Sequence, residues 1–258
     1  MRSDEGRTLV VHCTGPEEGL PSAAAAIEAP AEGSVHLWFA TLEQLRPRLA
    51  EFQELLHPVE SDRAKRFRFK HDRERFVLGH GLLRSLLGKY LKRDGSLIRM
   101  ARGPFGKPYL ERKKLRFNFS DTKDAVLAGF TTGQELGVDI ETLTREVDHA
   151  AVSEHYFTRS EIISIQGAGE NARSTFLDYW TRKESVLKAS GVGIMDDLRS
   201  LRVDGARNTM VITHEAFVSM AEPEYHVRAL RLGTQHFASV ATPMAPREVR
   251  LMSIAQGD

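Results

Sequence analysis

Apolar positions along this chain fall into two spacings, and the switches between them outline its elements. Val35 to Ala40 is a β-prone, almost wholly apolar run, the pattern of a buried strand. Leu42 to Leu56 then takes helical spacing and stops near Pro58. Ser61 caps a second helix that runs to about Leu91, interrupted or hinged near Lys70–Asp72, with Leu78, Leu82, Leu83, Leu86 and Leu87 on its apolar face. Strand signals return at Ile98–Ala101, Leu115–Phe119, Ala125–Phe130 and Leu136–Ile140, with a Gly103-Pro104-Phe105-Gly106 turn after the first. A helix around Ala150–Tyr156 leads to Thr158-Arg159-Ser160-Glu161, which has the form of a capping box. Another helix covers about Ala172–Ala189 and is stopped by Gly191 and Gly193. Late strands are expected at Leu201–Val203, Met210–Thr213, His226–Leu232 and His236–Ala241.

Residues 1–33 stand apart. They are rich in Ala, Gly, Pro and Glu, include Ala23 to Ala26, and show no sustained period, so they read as a flexible tail with a short strand at Thr8–His12 as the alternative. The remainder runs strand, helix, antiparallel strands, and then repeats that order. This predicts an α+β fold of two similar subdomains, residues 34–134 and 135–258, with a site near their junction.

Composition narrows the field by exclusion. The 258 residues carry a net charge of +1, so no overall field points to nucleic acid or a membrane. A single cysteine, Cys13, excludes an internal disulfide framework and a Cys-based zinc site, and suits the reducing cytoplasm. No apolar run reaches the length of a membrane span, and residues 1–11 lack the apolar core of a secretory signal. The ten histidines show no zinc-ligand spacing.

The candidate chemistry lies in two short stretches. In Gly137-Val138-Asp139-Ile140-Glu141 the strand period of two puts Asp139 and Glu141 on one side. In Trp180 to Lys188 a helix carries a third acid, Glu184, and a lysine one turn on, Lys188. Acids gathered from separate elements repel unless a cation lies between them, and an oxygen-only set favours Mg²⁺ or Mn²⁺ over zinc. Mg²⁺ prefers a few carboxylates together with substrate phosphates, so the expected substrate is a phosphate ester or anhydride. Two readings of Glu184 and Lys188 stand at this point. One is a surface ion pair contributing about 0.3–0.5 kcal/mol; the other puts Glu184 on the metal and Lys188 on a substrate phosphate. Lys183 is expected to point elsewhere, toward solvent.

Other motifs are open in the same way. The basic stretch from Arg63 to Arg75 is either a solvated helix face or a phosphate cradle, and the acids within it argue against nucleic acid. Lys107 and Pro108 follow a rigid turn, and the stretch with Asn118, Ser120, Asp121 and Thr122 ends a strand in small polar residues that form either an anion site or an Asx-capped turn. There is no Walker sequence, G-x-G-x-x-G or G-x-S-x-G.

Taken in order, the motifs are F-G-K-P, F-N-x-S, G-V-D-I-E, Y-F-T-x-x-E and W-T-R-K-E-S-x-x-K-x-x-G. This set resembles the surfactin-type 4′-phosphopantetheinyl transferases over about residues 58–195. The resemblance implies a monomeric, pseudo-twofold α+β enzyme that binds coenzyme A and Mg²⁺ between its halves. It would transfer the 4′-phosphopantetheine arm to a serine of an acyl or peptidyl carrier protein and release adenosine 3′,5′-bisphosphate. It also implies that Asp139, Glu141 and Glu184 are metal ligands and that Lys188 holds the diphosphate. Glu161 would assist near the metal, with Glu161 or Glu184 as the base. Lys107, Pro108, Asn118 and Ser120 would meet the coenzyme, with Arg63 and Arg75 at its 3′-phosphoadenosine end. Asp121 stands where most members have a histidine, and a carboxylate cannot make that histidine's contact with an anionic phosphate. Either Asp121 turns away and an arginine compensates, or affinity for the 3′-phosphate falls. The alternatives in other classes are a Mg²⁺-dependent phosphohydrolase and a non-catalytic coenzyme A-binding protein.

Overall fold

The computed structural model describes residues 6–23, 27–111, 113–193 and 198–254. Residues 1–5 and 24–26 of the expected tail, and 194–195 of the motif-bearing span, lie outside the described residues. In chain order, β1 (Arg7–Gly19) and β2 (Ser22–Ala23) precede β3 (Ser34–Thr41). Helices α1 (Leu42–Leu45), α2 (Leu49–Leu55), α3 (Pro58–Lys65) and α4 (Lys70–Leu91) follow. Short strands β4 (Ala101–Arg102) and β5 (Pro108–Tyr109) lead to the hairpin of β6 (Leu115–Asp121) and β7 (Ala125–Thr132). The second half comprises β8 (Gly137–Thr142), α5 (His149–Tyr156), α6 (Arg159–Gly167), α7 (Ala172–Ser190), β9 (Arg207–Ile212), α8 (Glu215–Met220), β10 (Glu224–Leu232), β11 (His236–Thr242) and β12 (Glu248–Ser253).

The strands form two five-stranded sheets, ordered β2-β12-β3-β7-β6 and β8-β11-β10-β1-β9, and β4 pairs with β5 alone. Inside each sheet the same unit recurs. A leading strand (β3 or β8) pairs antiparallel with the second strand of a later hairpin (β6–β7 or β10–β11), and a long helix (α4 or α7) intervenes. Three apolar layers follow from the alternation along these strands. Trp38, Val126, Ala128 and Phe130 pack with Leu78, Leu82 and Leu86 of α4. Val11, Tyr225 and Val227 pack with Val186 and Leu187 of α7. Between the sheets lie Leu37, Leu127, Val138, Ile140, Leu230 and Val240.

Several expectations need correction. The segment expected to be a tail contains the 13-residue strand β1, held between β10 and β9 with Leu9, Val11 and Cys13 buried. It contains the short strand Thr8–His12 that was the alternative to a tail, and its partners come some 200 residues later, where no local pattern points to them. The last strand, β12, falls in the stretch assigned to the second subdomain yet pairs parallel with β3 of the first sheet. Leu201–Val203 is irregular chain instead of a strand. The expected helix from Leu42 to Leu56 breaks into α1 and α2 around a 3₁₀ turn at Arg46–Arg48, because Pro47 has no N–H to continue the ladder. Of the interruption or hinge expected near Lys70–Asp72 the chain takes the interruption, with Phe69 extended before α4, but Ser61 lies inside α3, which His57 caps.

One glycine fixes how closely α7 approaches β8. A Cβ on Gly137 would lie 2.0 Å from the Ser185 carbonyl oxygen and 2.3 Å from the Ala189 nitrogen. Without one, the last turns of α7 lie directly on the strand that carries Asp139 and Glu141.

Candidate active site

Val138 and Ile140 of β8 face the layer between the sheets, so Gly137, Asp139 and Glu141 face α7. Both acids are buried. Glu184 and Lys188 stand one turn apart on the adjoining part of α7, and the neighbouring end of β6 brings Ser120 to the same place. Lys188 Nζ lies 2.6 Å from Asp139 Oδ1 and donates to Ser120 Oγ at 2.9 Å. Ser120 Oγ in turn donates to Asp139 Oδ1 at 2.8 Å. Lys188 therefore reaches across to β8 and β6, which is more than the exposed i,i+4 pair that its spacing also allowed.

The electrostatics follow from crowding in a dry place. Burial, then Asp139 and Glu141, raise the Glu184 carboxyl to about 7 against the pull of Lys188. Burial and Asp139 also raise Glu141. Burial alone would lower the Lys188 ammonium, but Asp139 and Glu184 outweigh it and hold it above its ordinary value. Asp139 Oδ2 and Glu184 Oε1 are buried with no hydrogen-bond partner. Orphaned carboxylate oxygens among mutually repelling acids are what a hard divalent cation would satisfy, so the donor set fits Mg²⁺.

Other expected residues make contacts outside this cluster. Asn118 Oδ1 accepts from the Val138 backbone N–H at 2.8 Å and so ties β6 to β8; its role here is to position the strand. Asp121 turns aside to Arg75, whose Nε lies 3.1 Å from Asp121 Oδ2. Arg63 lies over the Phe76 ring, 5.1 Å from its centroid. Lys107 Nζ contacts Glu135 at 2.7 Å and donates to the carbonyls of Leu136 and Ala189 at 3.1 and 3.2 Å, so its ammonium already has three partners. Pro108 borders a cleft of about 410 Å³ that also takes in His57, His80, Arg84 and Arg102.

Two expectations fail here. Glu161 does not join the acidic cluster: it is fully buried, caps α6 through Thr158, accepts from the Val203 N–H at 2.9 Å, and pairs with Lys183 at 2.8 Å. Lys183, expected at the surface, is 0 % exposed. Its position on α7 turns it away from Lys188, toward the carbonyls of Tyr156 and Leu198.

One further contributor, Thr122, was read only as part of the polar strand end, and another, Arg145, escaped the sequence reading. Thr122 Oγ1 donates to Glu141 Oε2 at 3.1 Å, and Arg145 Nη1 pairs with Glu141 Oε1. Thr122 lies two residues past Ser120, so strand alternation could have found it. Arg145 is in a turn and carries no such signal.

A family model described as the 4′-phosphopantetheinyl transferase superfamily matches residues 135–238. A second, the N-terminal part of 4′-phosphopantetheinyl transferase, matches residues 41–132. The chain is 33 % identical over 165 residues to the 4′-phosphopantetheinyl transferase HetI of a Nostoc species, covering 62 % of this chain and 70 % of that one. It is 28 % identical over 154 residues to the transferase Sfp of Bacillus subtilis, covering 59 % and 67 %. It is 25 % identical over 206 residues to the L-aminoadipate-semialdehyde dehydrogenase-phosphopantetheinyl transferase of Rattus norvegicus, covering 72 % and 66 %. With its α+β architecture and the Asp139–Ser120–Lys188 cluster, the chain belongs to the 4′-phosphopantetheinyl transferase superfamily.

Proposed function

We propose that this protein moves the 4′-phosphopantetheine arm of coenzyme A onto a serine hydroxyl of an acyl or peptidyl carrier protein, releasing adenosine 3′,5′-bisphosphate. The observation that carries this reading is the pair of buried, unpartnered oxygens, Asp139 Oδ2 and Glu184 Oε1, beside the Lys188 ammonium. Acids of this kind next to a fixed cation suit a diphosphate substrate neutralised from two sides. Asp139, Glu141 and Glu184 would hold Mg²⁺, which when bound polarises the diphosphate as a Lewis acid.

The chain's own groups supply the rest. Lys188, kept protonated by Asp139 and Glu184, offsets charge that develops on the departing nucleotide. Ser120 fixes the direction of that ammonium. Glu184 accepts the proton of the incoming serine, because Glu161 is fully engaged by Thr158, Val203 and Lys183. Arg75, partly neutralised by Asp121, stands at the rim with Arg63 for the phosphoadenosine end. It would work in the cytoplasm, where a free Cys13 is at home, and as a monomer; among the described residues no helix is long and apolar enough to cross a membrane.

The test is the intact mass of apo acyl and apo peptidyl carrier proteins after incubation with this protein, coenzyme A and Mg²⁺. One added phosphopantetheine, lost with EDTA, is expected. Asp139→Ala and Glu184→Ala should each reduce transfer at least ~100-fold without changing the circular dichroism spectrum. Nucleotide release with no gain of carrier mass would instead mean hydrolysis, and near-normal transfer by either variant would remove the metal assignment.

A further inference from the structure

Three side chains that this chemistry does not use meet on the second sheet. β1 and β10 run parallel with His12 opposite His226, and Glu224 lies two residues before His226 on the same strand. Strand alternation therefore puts all three on one face, the one turned away from buried Val11, Tyr225 and Val227. The two imidazoles stack with centroids 4.8 Å apart and planes within 8°. Glu224 Oε1 lies 2.5 Å from His12 Nε2 and 3.8 Å from His226 Nε2. One donor atom from each residue falls within 4.8 Å of the other two. Their side chains are 31 %, 48 % and 27 % exposed for His12, Glu224 and His226, so solvent reaches the group.

Protonation alone leaves this arrangement incomplete. A proton shared by His12 and Glu224 satisfies that pair, but at 3.8 Å the His226 nitrogen is beyond hydrogen-bond reach of the same oxygen. A tetrahedral ion with bonds of about 2.0–2.2 Å needs donors roughly 3.3 Å apart. The two separations from Glu224 bracket that figure, and to ligate one ion the stacked imidazoles must tilt so that their in-plane lone pairs converge on it. Arg228, next along this face of β10, is held by Glu17 at 2.6 Å and does not compete for Glu224. Two imidazoles and one carboxylate favour late first-row divalent ions over Mg²⁺ or Ca²⁺.

We propose that His12, Glu224 and His226 form a second metal site, separate from the acidic cluster, that binds a Zn²⁺-class divalent cation with water as the remaining ligand. Because one ligand is on β1 and two are on β10, the ion staples the first strand of the chain to the sheet. The inference does not depend on the transferase reading.

The test uses metal-stripped full-length protein in excess Mg²⁺, which fills the carboxylate cluster. Zn²⁺ is titrated against a chromophoric chelator, Co²⁺ is followed by its visible absorption, and melting temperature is recorded with and without Zn²⁺. The expected result is one equivalent of Zn²⁺, a tetrahedral Co²⁺ spectrum and a rise in melting temperature. His12→Ala and His226→Ala should each weaken Zn²⁺ binding at least ~10-fold and abolish the rise, with transfer to a carrier protein unchanged. Asp139→Ala should leave Zn²⁺ binding intact. Should a histidine variant not fold, Glu224→Gln, at an exposed position, must show the same loss. Absence of Zn²⁺ binding in excess Mg²⁺, or binding that survives His226→Ala or Glu224→Gln, would overturn the proposal.

Discussion

Two lysines on one helix have opposite fates, and neighbours decide which. Lys188 meets Asp139 and Ser120 at the acidic cluster, whereas Lys183 is sealed against Glu161 inside the protein. Removing one partner of a buried pair leaves an uncompensated charge. Lys183→Met should therefore lower the unfolding free energy by about 3–5 kcal/mol in urea titration, while any transfer that remains should keep the proposed dependence on Mg²⁺. Glu60 gives a pH-dependent counterpart. Burial alone would raise it, but hydrogen bonds from His80 and Arg84 outweigh that and hold the carboxyl at about 2. A carboxyl depressed from 4.5 contributes stability that is present above pH 4.5 and is lost as pH falls toward 2. Glu60→Gln should thus cost roughly 3 kcal/mol at pH 7, and the gap to the unsubstituted protein should close across pH 4.5 to 2 in denaturant titrations. That Asp139 and Glu141 share one face of a strand, and that Glu184 and Lys188 lie one turn apart, was legible in the sequence because period-two and i,i+4 spacing state which face a residue takes; spacing left open whether the two pairs meet, as Lys188 and Asp139 do. The engagement of Glu161 with Lys183 was not, since spacing does not say what a helix face packs against.

The contact between β8 and α7 carries the site, and Gly137 governs it. An added Cβ would meet backbone atoms of Ser185 and Ala189, which cannot swing aside as a side chain could. Gly137→Ala should cost about 1–3 kcal/mol of stability. It should also reduce kcat by up to ~100-fold through displacement of Glu184 and Lys188, with a smaller change in the KM for coenzyme A. Thermal melts and steady-state kinetics check the two parts. The long helices α4 and α7 were readable from their apolar periodicity and from the stop at Gly191, which adopts φ +79°. The strands β1 and β12 were not. Leu9, Val11 and Cys13 alternate correctly, but the run is short and its partners β9 and β10 are far along the chain. Likewise, His12 and the Glu224–His226 pair lie more than 200 residues apart, so a search for ligand spacing passes over them.

The whole molecule is two related units whose terminal strands, β1 and β12, have been exchanged. β1 belongs to the sheet of the second half, and β12 to the sheet of the first. Removing residues 1–19 would thus take an interior strand from between β10 and β9 and expose Tyr225 and Val227. The truncated protein should be insoluble or unfold without a cooperative transition, in calorimetry or circular dichroism. A flexible tail would have been dispensable, with no change in melting temperature.

That exchange also sets an order of events during synthesis. β1 leaves the ribosome early, but β10, on which Val10 to Gly19 must align, is made some 200 residues later. At about 5–20 residues per second the strand waits ten seconds or more with its edges open. The Pro16 and the acidic pair Glu17–Glu18 near its end are the kind of residues that keep an unpaired strand from joining a neighbouring chain. The segment that looked unstructured from its composition is, on this view, written to remain soluble until its place in the sheet exists.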